Sequence, residues 1–211
     1  MPTAVLSTLV LASAALTVRA GRAGAGRQVY VFKPLTTALI IVVALQAKHA
    51  AVAPGYRPLI VAGLVCSLAG DVFLMLPRER FVAGLVSFLI AHLFYVAAFA
   101  LDGGARPSAW AAVPLALYGV LMLRLLWAGL GKLKVPVVVY VAVILLMAWA
   151  AASRWLAVGD GGSASAFAGS LLFVASDTAL AWNRFRGEFA AAQALILGTY
   201  FPAQLLIALS T

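Results

Sequence analysis

Eight long apolar runs, separated by short loops, set the strictest limit on how this chain can fold. They lie at about residues 3–19, 33–48, 58–76, 81–101, 108–127, 135–155, 164–183 and 189–209. A helix needs about 20 mostly apolar residues to span a bilayer, and the runs approach or reach that length. Hydrophobic residues make up 65% of the 211 positions, whereas soluble domains carry roughly 45–50%. The chain is therefore predicted to be an all-α membrane protein with eight transmembrane helices in one domain, 1–211.

The distribution of basic residues predicts how the helices are oriented. Eleven of the 15 Lys and Arg residues lie in or beside the first, third, fifth and seventh loops. By the positive-inside rule these odd loops should be cytoplasmic, with both termini outside, and brevity and composition suggest a bacterial inner (plasma) membrane. Arg19, Arg22 and Arg27 follow the first run instead of preceding it, which favours a retained anchor over a signal peptide.

The net charge of +9 is explained by these loops, which meet anionic membrane lipids. There is no basic stripe with interleaved aromatic residues, so no nucleic acid partner is expected.

The chain also contains an internal repeat. When 62–80 is set against 168–186 without gaps, seven of 19 positions are identical, including Asp71 with Asp177. Lys33-Pro34 similarly corresponds to Val135-Pro136. The offset of four helices predicts two parallel four-helix repeats, at about 1–104 and 105–211, related by an axis along the membrane normal.

Two acidic residues lie inside apolar runs. Asp71 and Asp177 are each expected about five residues from the cytoplasmic end of their helix, while the other four acidic residues lie in or next to loops. A carboxylate at mid-helix costs roughly 2.5–3.5 kcal/mol on insertion scales, so it should face the bundle interior or a wet cavity. The structural alternative is that Asp71 and Asp177 only pair with Arg78 and Arg184, respectively.

Further polar residues are predicted at a similar depth, and together they favour a pocket open toward the cytoplasmic leaflet. Lys33 is expected to open the second helix, and Asn183 to close the seventh. The other members are His92 with Tyr95, Tyr140, and Tyr200 with Gln204. Each also has a plainer interpretation, as a topology anchor, a helix cap or a packing residue.

The set of side chains points away from metal chemistry. Catalytic zinc generally uses three protein ligands, often His, and this chain has two His, of which His49 lies near the opposite face from the Asp pair. No metal and no cofactor is expected. Two carboxylates with a Lys, a His and several Tyr suit general acid–base chemistry on a lipid-like substrate.

Six ordered motifs resemble the lysoplasmalogenase (YhhN) family, over about Lys33 to Ser210. They are Lys33 to Thr37, Gly70 to Leu74, His92 to Tyr95, Pro136 to Tyr140, Ser176 to Phe185 and Tyr200 to Gln204. The resemblance implies an integral membrane hydrolase that cleaves the vinyl ether bond of a lysophospholipid. The products would be a fatty aldehyde and a glycerophospho-base.

Within that resemblance, Asp71 and Asp177 are the expected catalytic pair, as in glycosidases with one acid and one carboxylate. Which of the two is the acid stays open. Lys33, with Arg184 as a second candidate, would hold the lipid phosphate. The remaining polar residues would shape the pocket, and the apolar bundle would hold the alkenyl chain.

A small proton-coupled membrane transporter is the alternative function, because parallel repeats with intramembrane carboxylates also fit transport. Aldehyde release by detergent-purified protein separates the two, since an enzyme needs no sealed vesicle.

Overall fold

The computed structural model describes residues 3–47, 52–76, 80–103 and 108–211. Within these residues the chain forms eight α-helices and no strands. The helices are α1 (Thr3–Arg22), α2 (Gly26–Gln46), α3 (Tyr56–Met75), α4 (Phe81–Gly103), α5 (Ala109–Leu126), α6 (Lys134–Val158), α7 (Gly161–Phe185) and α8 (Ala192–Leu209). All eight are long and apolar enough to cross a membrane. The predicted all-α membrane protein with eight transmembrane helices is confirmed.

The start of α2 corrects the sequence prediction. Lys33 was expected to open this helix, but α2 begins seven residues earlier at Gly26 and continues through Pro34. Proline lacks the N–H that would bond one turn back, so the helix loses one backbone hydrogen bond there without ending. Lys33 is consequently two turns inside the helix rather than in a loop, and its ammonium group can reach the bundle interior.

The helices pack as antiparallel sequence neighbours, with α3 against α4 and α7 against α8 as the most extensive pairs. Glycine permits the close approach in both. Gly63 of α3 lies against the Tyr95 ring of α4, and a Cβ on Gly169 of α7 would be 2.7 Å from the Ala203 carbonyl oxygen of α8. Helix α4 also packs on α6, and α1 and α2 pack on α8, so one continuous core runs through the bundle.

Helix α5 is peripheral. Only 11% of its membrane-length segment is buried, against 28–50% in the other seven helices. It contacts α6 and α7, and a hydrogen bond of 2.5 Å joins the Tyr118 hydroxyl of α5 to the Thr178 hydroxyl of α7. This helix is therefore attached to the lipid-facing side of the bundle by a small interface.

An ion pair lies at the end of the bundle that holds the second, fourth and sixth loops. Asp102 was expected beside a loop, and Arg154 was counted with the even loops, but both are helical with buried side chains, and Arg154 Nε is 2.6 Å from Asp102 Oδ2. The Arg154 guanidinium also lies over the Tyr56 ring at 4.5 Å. Lys48, His49, Arg78, Glu79 and Arg106, which the sequence interpretation used, lie outside the described residues.

Candidate active site

Asp71 lies one turn before the end of α3 and is only 1% exposed. Its Oδ2 accepts hydrogen bonds from the Thr37 hydroxyl at 2.7 Å and the Tyr200 hydroxyl at 2.8 Å. The Lys33 ammonium is 3.1 Å from Oδ1. Lys33 and Thr37 are four residues apart on α2 and therefore present neighbouring side chains to α3. The buried carboxylate thus has two hydroxyl donors and a counter-ion.

A chain of hydrogen bonds continues from Asp71 into the core. The Gln204 amide nitrogen donates to the Tyr200 oxygen at 3.3 Å, and the Tyr95 hydroxyl donates to the Gln204 carbonyl oxygen at 2.7 Å. Tyr200 and Gln204 are one turn apart on α8, as the sequence predicts. Because all three side chains are buried, this chain fixes the orientation of the Tyr200 hydroxyl toward Asp71.

Asp177 lies two turns before the end of α7 and has a simpler environment. The Tyr140 hydroxyl of α6 donates to its Oδ2. The ion pairs found within the described ranges, 3–47, 52–76, 80–103 and 108–211, do not involve Asp177. The Arg184 guanidinium, expected as an alternative partner, lies over the Phe81 ring at 5.0 Å. The corresponding alternative for Asp71 involves Arg78, which is outside the described residues.

Both carboxylates line one polar cavity of about 660 Å³. It is bounded by α1, α2, α3, α7 and α8, with Phe88 of α4 at one side, and it lies at the end of the bundle formed by the odd loops. Lys33, Asn183 and Tyr200 also contribute to its wall. The structure therefore brings five of the predicted site residues to one void.

A second cavity, narrow and apolar, of about 70 Å³, lies between α4, α5, α6 and α7. Asp177 lines this cavity as well as the polar one, together with Leu74, Phe88 and Leu180. Tyr140 lines only the apolar cavity. The two cavities therefore share a wall that contains Asp177, with the polar cavity on one side and the apolar cavity on the other.

His92 is placed behind the site, not in it. Its imidazole is fully buried, with ring centroids 4.6 Å from Phe173, 5.4 Å from Tyr140 and 6.4 Å from Tyr95. Neither ring nitrogen has a hydrogen-bond partner in the part of the chain that the structure describes. Neither His92 nor Tyr95 lines either cavity, so both support the residues that do.

The two predicted residues at the end of α7 differ in placement. Asn183 lines the polar cavity, and its Oδ1 accepts a hydrogen bond from the Phe189 N–H at 3.2 Å, which anchors the connection to α8. Arg184 is exposed and is not among the side chains that line the two cavities. Lys33 is thus the better placed of the two predicted phosphate ligands.

Some cavity residues were not predicted from the sequence. Glu188 and Gln193 line the polar cavity, and the Tyr118–Thr178 pair lines the apolar one. Thr178 directly follows Asp177, which was the available indication for it. The others are recognisable only once α5, the loop after α7 and the start of α8 are folded against the site.

The arrangement can move protons. Two carboxyl groups face one cavity, each in contact with a phenol, and an ammonium group lies beside one of them. Within the described ranges, no group of three or more His, Cys, Asp or Glu side chains is placed to hold a metal ion. The chemistry available to the side chains themselves is general acid–base catalysis and the binding of an anion by Lys33.

The fold and site define an integral membrane protein with a buried acid–base cluster at one end of a helical bundle. The sequence profile of the YhhN family matches residues 28–211. The chain belongs to the YhhN family, as the motifs predicted.

Individual relatives cover most of the chain. The uncharacterized membrane protein YhhN of Escherichia coli O157:H7 is 32% identical over 200 residues, which is 94% of either chain. Lysoplasmalogenase TMEM86B of Sus scrofa is 37% identical over 82% of this chain and 70% of its own length. Lysoplasmalogenase TMEM86B of Homo sapiens is 38% identical over 74% of this chain and 64% of its own length. No solved structure matches the chain significantly.

Proposed function

We propose that this protein is a membrane hydrolase that cleaves the vinyl ether bond of lysoplasmalogen-type lysophospholipids, with Asp71 and Asp177 as its catalytic residues. The observation that carries the proposal is that both carboxyl groups line one polar cavity, while Asp177 also borders an apolar cavity. A lysophospholipid has a polar headgroup and one hydrocarbon chain, and its vinyl ether bond lies between them. The wall that the two cavities share at Asp177 matches the position of that bond between the headgroup and the hydrocarbon chain.

The relatives support the same substrate class. Mammalian members that are 36–38% identical to this chain carry the name lysoplasmalogenase. The proposed products are a fatty aldehyde and a glycerophospho-base. Lys33, which lines the polar cavity, would bind the substrate phosphate while it also pairs with Asp71, because its ammonium group has three hydrogen-bond donors.

Position suggests a role for each acid. The carbon that must be protonated belongs to the hydrocarbon side of the bond, where Asp177 borders the apolar cavity. Water is held on the polar side, where Asp71 lies beside its Lys33 counter-ion. We therefore assign proton donation to Asp177 and water activation to Asp71, with Tyr140 and Tyr200 orienting the two carboxyl groups.

The reaction then balances with water as the only co-reactant. Asp177 transfers its proton to the β-carbon of the vinyl ether, which produces an oxocarbenium ion. Water adds to the cationic carbon and gives a proton to the Asp71 carboxylate, forming a hemiacetal. Cleavage of the carbon–oxygen bond, with transfer of the hemiacetal hydroxyl proton to the leaving glycerol oxygen, releases the aldehyde and the glycerol hydroxyl. The proton on Asp71 returns to Asp177 through the shared cavity.

The setting in the membrane is part of the proposal. The odd loops would face the cytoplasm of a bacterial inner membrane, so that the polar cavity opens to the cytoplasmic leaflet. The chain would form one domain of two parallel four-helix repeats. Labelling of Ala23→Cys in a Cys66→Ser background checks the orientation: an impermeant reagent should modify inverted vesicles and leave right-side-out vesicles unmodified.

The test of activity uses detergent-purified protein and a defined lysoplasmalogen, with release of the fatty aldehyde as the readout. The wild type should release aldehyde without a sealed vesicle, whereas a transporter would not. In deuterium oxide the aldehyde should carry one deuterium on the carbon next to the carbonyl group, because the β-carbon receives a solvent-derived proton. Absence of aldehyde, or aldehyde without this deuterium, would contradict the proposed reaction.

Asp71→Asn and Asp177→Asn should each abolish turnover per folded molecule, in protein that still elutes like the wild type. Asp102→Asn is the matched control, since Asp102 is also a buried, ion-paired carboxylate but lines neither cavity. Per folded molecule, its turnover should equal that of the wild type. Near-normal turnover by either site variant would remove that residue from the mechanism.

A further inference from the structure

The side chains that line the apolar cavity favour a hydrocarbon occupant. Its four polar side chains are already paired with one another, Tyr118 with Thr178 and Tyr140 with Asp177. The rest of the wall is aliphatic or aromatic. An apolar cavity of this kind excludes water and accepts apolar ligands.

The cavity follows one face of α7. Asp177, Ala181 and Phe185 occur at intervals of four residues, so they lie one above another over about 12 Å of helix. At the far end, the Phe185 and Phe81 rings meet edge to face with centroids 5.9 Å apart. Met122 of α5 contributes to the opposite wall. A chain that runs from Asp177 toward Phe185 passes the small side chain of Ala181.

We propose that this cavity, bounded by α4, α5, α6 and α7, binds the hydrocarbon chain next to the cleaved bond, and that Ala181 and Met122 determine which chains are accepted. The inference rests on the proposed lysophospholipid substrate. The occupant is identified by adjacency, because the apolar cavity shares the wall at Asp177 with the polar cavity that Lys33 lines. A single-chain amphiphile with an anionic headgroup matches both parts.

Selection by this cavity depends on fit more than on hydrophobicity. A lipid chain leaves a bilayer that is as apolar as the cavity, so its transfer is driven by packing. Bulk added at Ala181 should therefore exclude chains that extend one helical turn beyond Asp177. Chains that end before this point should still reach the carboxyl group.

The first experiment compares two variants of the same helix, Ala181→Phe and Ala175→Phe, on vinyl ether lysophospholipids of increasing chain length. Ala181 lines the apolar cavity, whereas Ala175 is exposed on another face of α7. Ala181→Phe should lower the ratio of kcat/KM for long chains to that for short chains by about tenfold or more. Ala175→Phe should keep the wild-type ratio.

A second pair tests the opposite wall and covers the case in which Ala181→Phe fails to fold. Met122→Trp on α5 should shift the same ratio, and Leu121→Trp, at an exposed neighbouring position, should leave it unchanged. Because α5 is the least buried helix, it should tolerate both substitutions. Equal ratios in the cavity variants and their controls would overturn the proposal.

A binding readout separates this inference from the proposed activity. A saturated alkyl-ether lysophospholipid carries no vinyl ether to cleave, and a diazirine placed within its chain reports where the chain lies. Photolabelling should modify cavity residues of α5, α6 or α7, and Ala181→Phe or Met122→Trp should suppress these adducts. Labelling confined to exposed residues would contradict the chain site. Cavity labelling by a protein that releases no aldehyde would keep the site and reject the hydrolase.

Discussion

The two intramembrane carboxylates share a cavity but have very different neighbours. Asp71 is surrounded by Thr37, Tyr200 and Lys33, so it is hydrogen-bonded and charge-compensated. Asp177 accepts a hydrogen bond from Tyr140 and borders hydrocarbon surface. In the predicted repeat, Val135 corresponds to Lys33, which would leave the Asp177 side without an equivalent of the Lys33 ammonium group. The difference between the two environments fits the separate tasks proposed for the two carboxyl groups.

The largest expected effect on stability comes from removing the cation. Lys33→Met leaves the buried Asp71 carboxylate without its counter-ion and should lower the free energy of unfolding by about 3–5 kcal/mol. Lys33→Arg should recover most of the loss because it retains the charge. Unfolding in mixed micelles, followed by circular dichroism, measures both.

Arg27→Met is the control for Lys33→Met, since Arg27 is an exposed basic residue at the start of the same helix. It should unfold like the wild type. If Lys33→Met were as stable as this control, the ion pair would not support the Asp71 side, and the contrast between the two carboxylates would be lost.

The two tyrosines that donate hydrogen bonds to the carboxyl groups should contribute unequally to kcat. Tyr140→Phe removes the side-chain hydrogen bond described for Asp177 and should lower kcat by about 100-fold, the effect typical of a lost preorganised donor. Tyr200→Phe should cost only about tenfold, because Thr37 and Lys33 still hold Asp71. Steady-state aldehyde release gives both values. A larger loss for Tyr200→Phe would reverse the proposed contrast.

The smallest effect is expected from the hydroxyl group on α2. Thr37→Val removes one of two hydroxyl donors to Asp71 and should lower the free energy of unfolding by about 1 kcal/mol. Thr8→Val provides the comparison, because the Thr8 hydroxyl is exposed and bonds only the Ala4 carbonyl oxygen of its own helix. Indistinguishable unfolding of the two variants would show that Thr37 adds nothing to the Asp71 environment.

The fold was largely predictable because each helix must bury its backbone polar groups within an apolar run of bilayer length. Asp71, Asp177 and Tyr140 were also identified, since polar groups at that depth need partners. The start of α2 was missed because the apolar run begins at about Lys33, whereas the helix starts at Gly26 and tolerates the one hydrogen bond that Pro34 removes. The repeat itself stays a prediction.

Three-dimensional placement could not be read from the sequence alone. Arg184 lies in the last turn of α7, yet its guanidinium lies over the Phe81 ring instead of in the polar cavity. Asp102 and Arg154 are 52 positions apart, and only the packing of α4 on α6 turns two predicted loop charges into a buried ion pair. That Asp177 lines both cavities likewise depends on how the surrounding helices pack.

The central claim is that the Asp71 and Asp177 carboxyl groups act as one catalytic unit, and a double-mutant cycle tests it most directly. Aldehyde release would be measured for the wild type, Asp71→Asn, Asp177→Asn and the double variant, in protein shown to be folded. If the two groups serve the same reaction, each single variant should be about as inactive as the double variant. Independent losses that add up in the double variant, or a single variant with near-normal release, would contradict the claim.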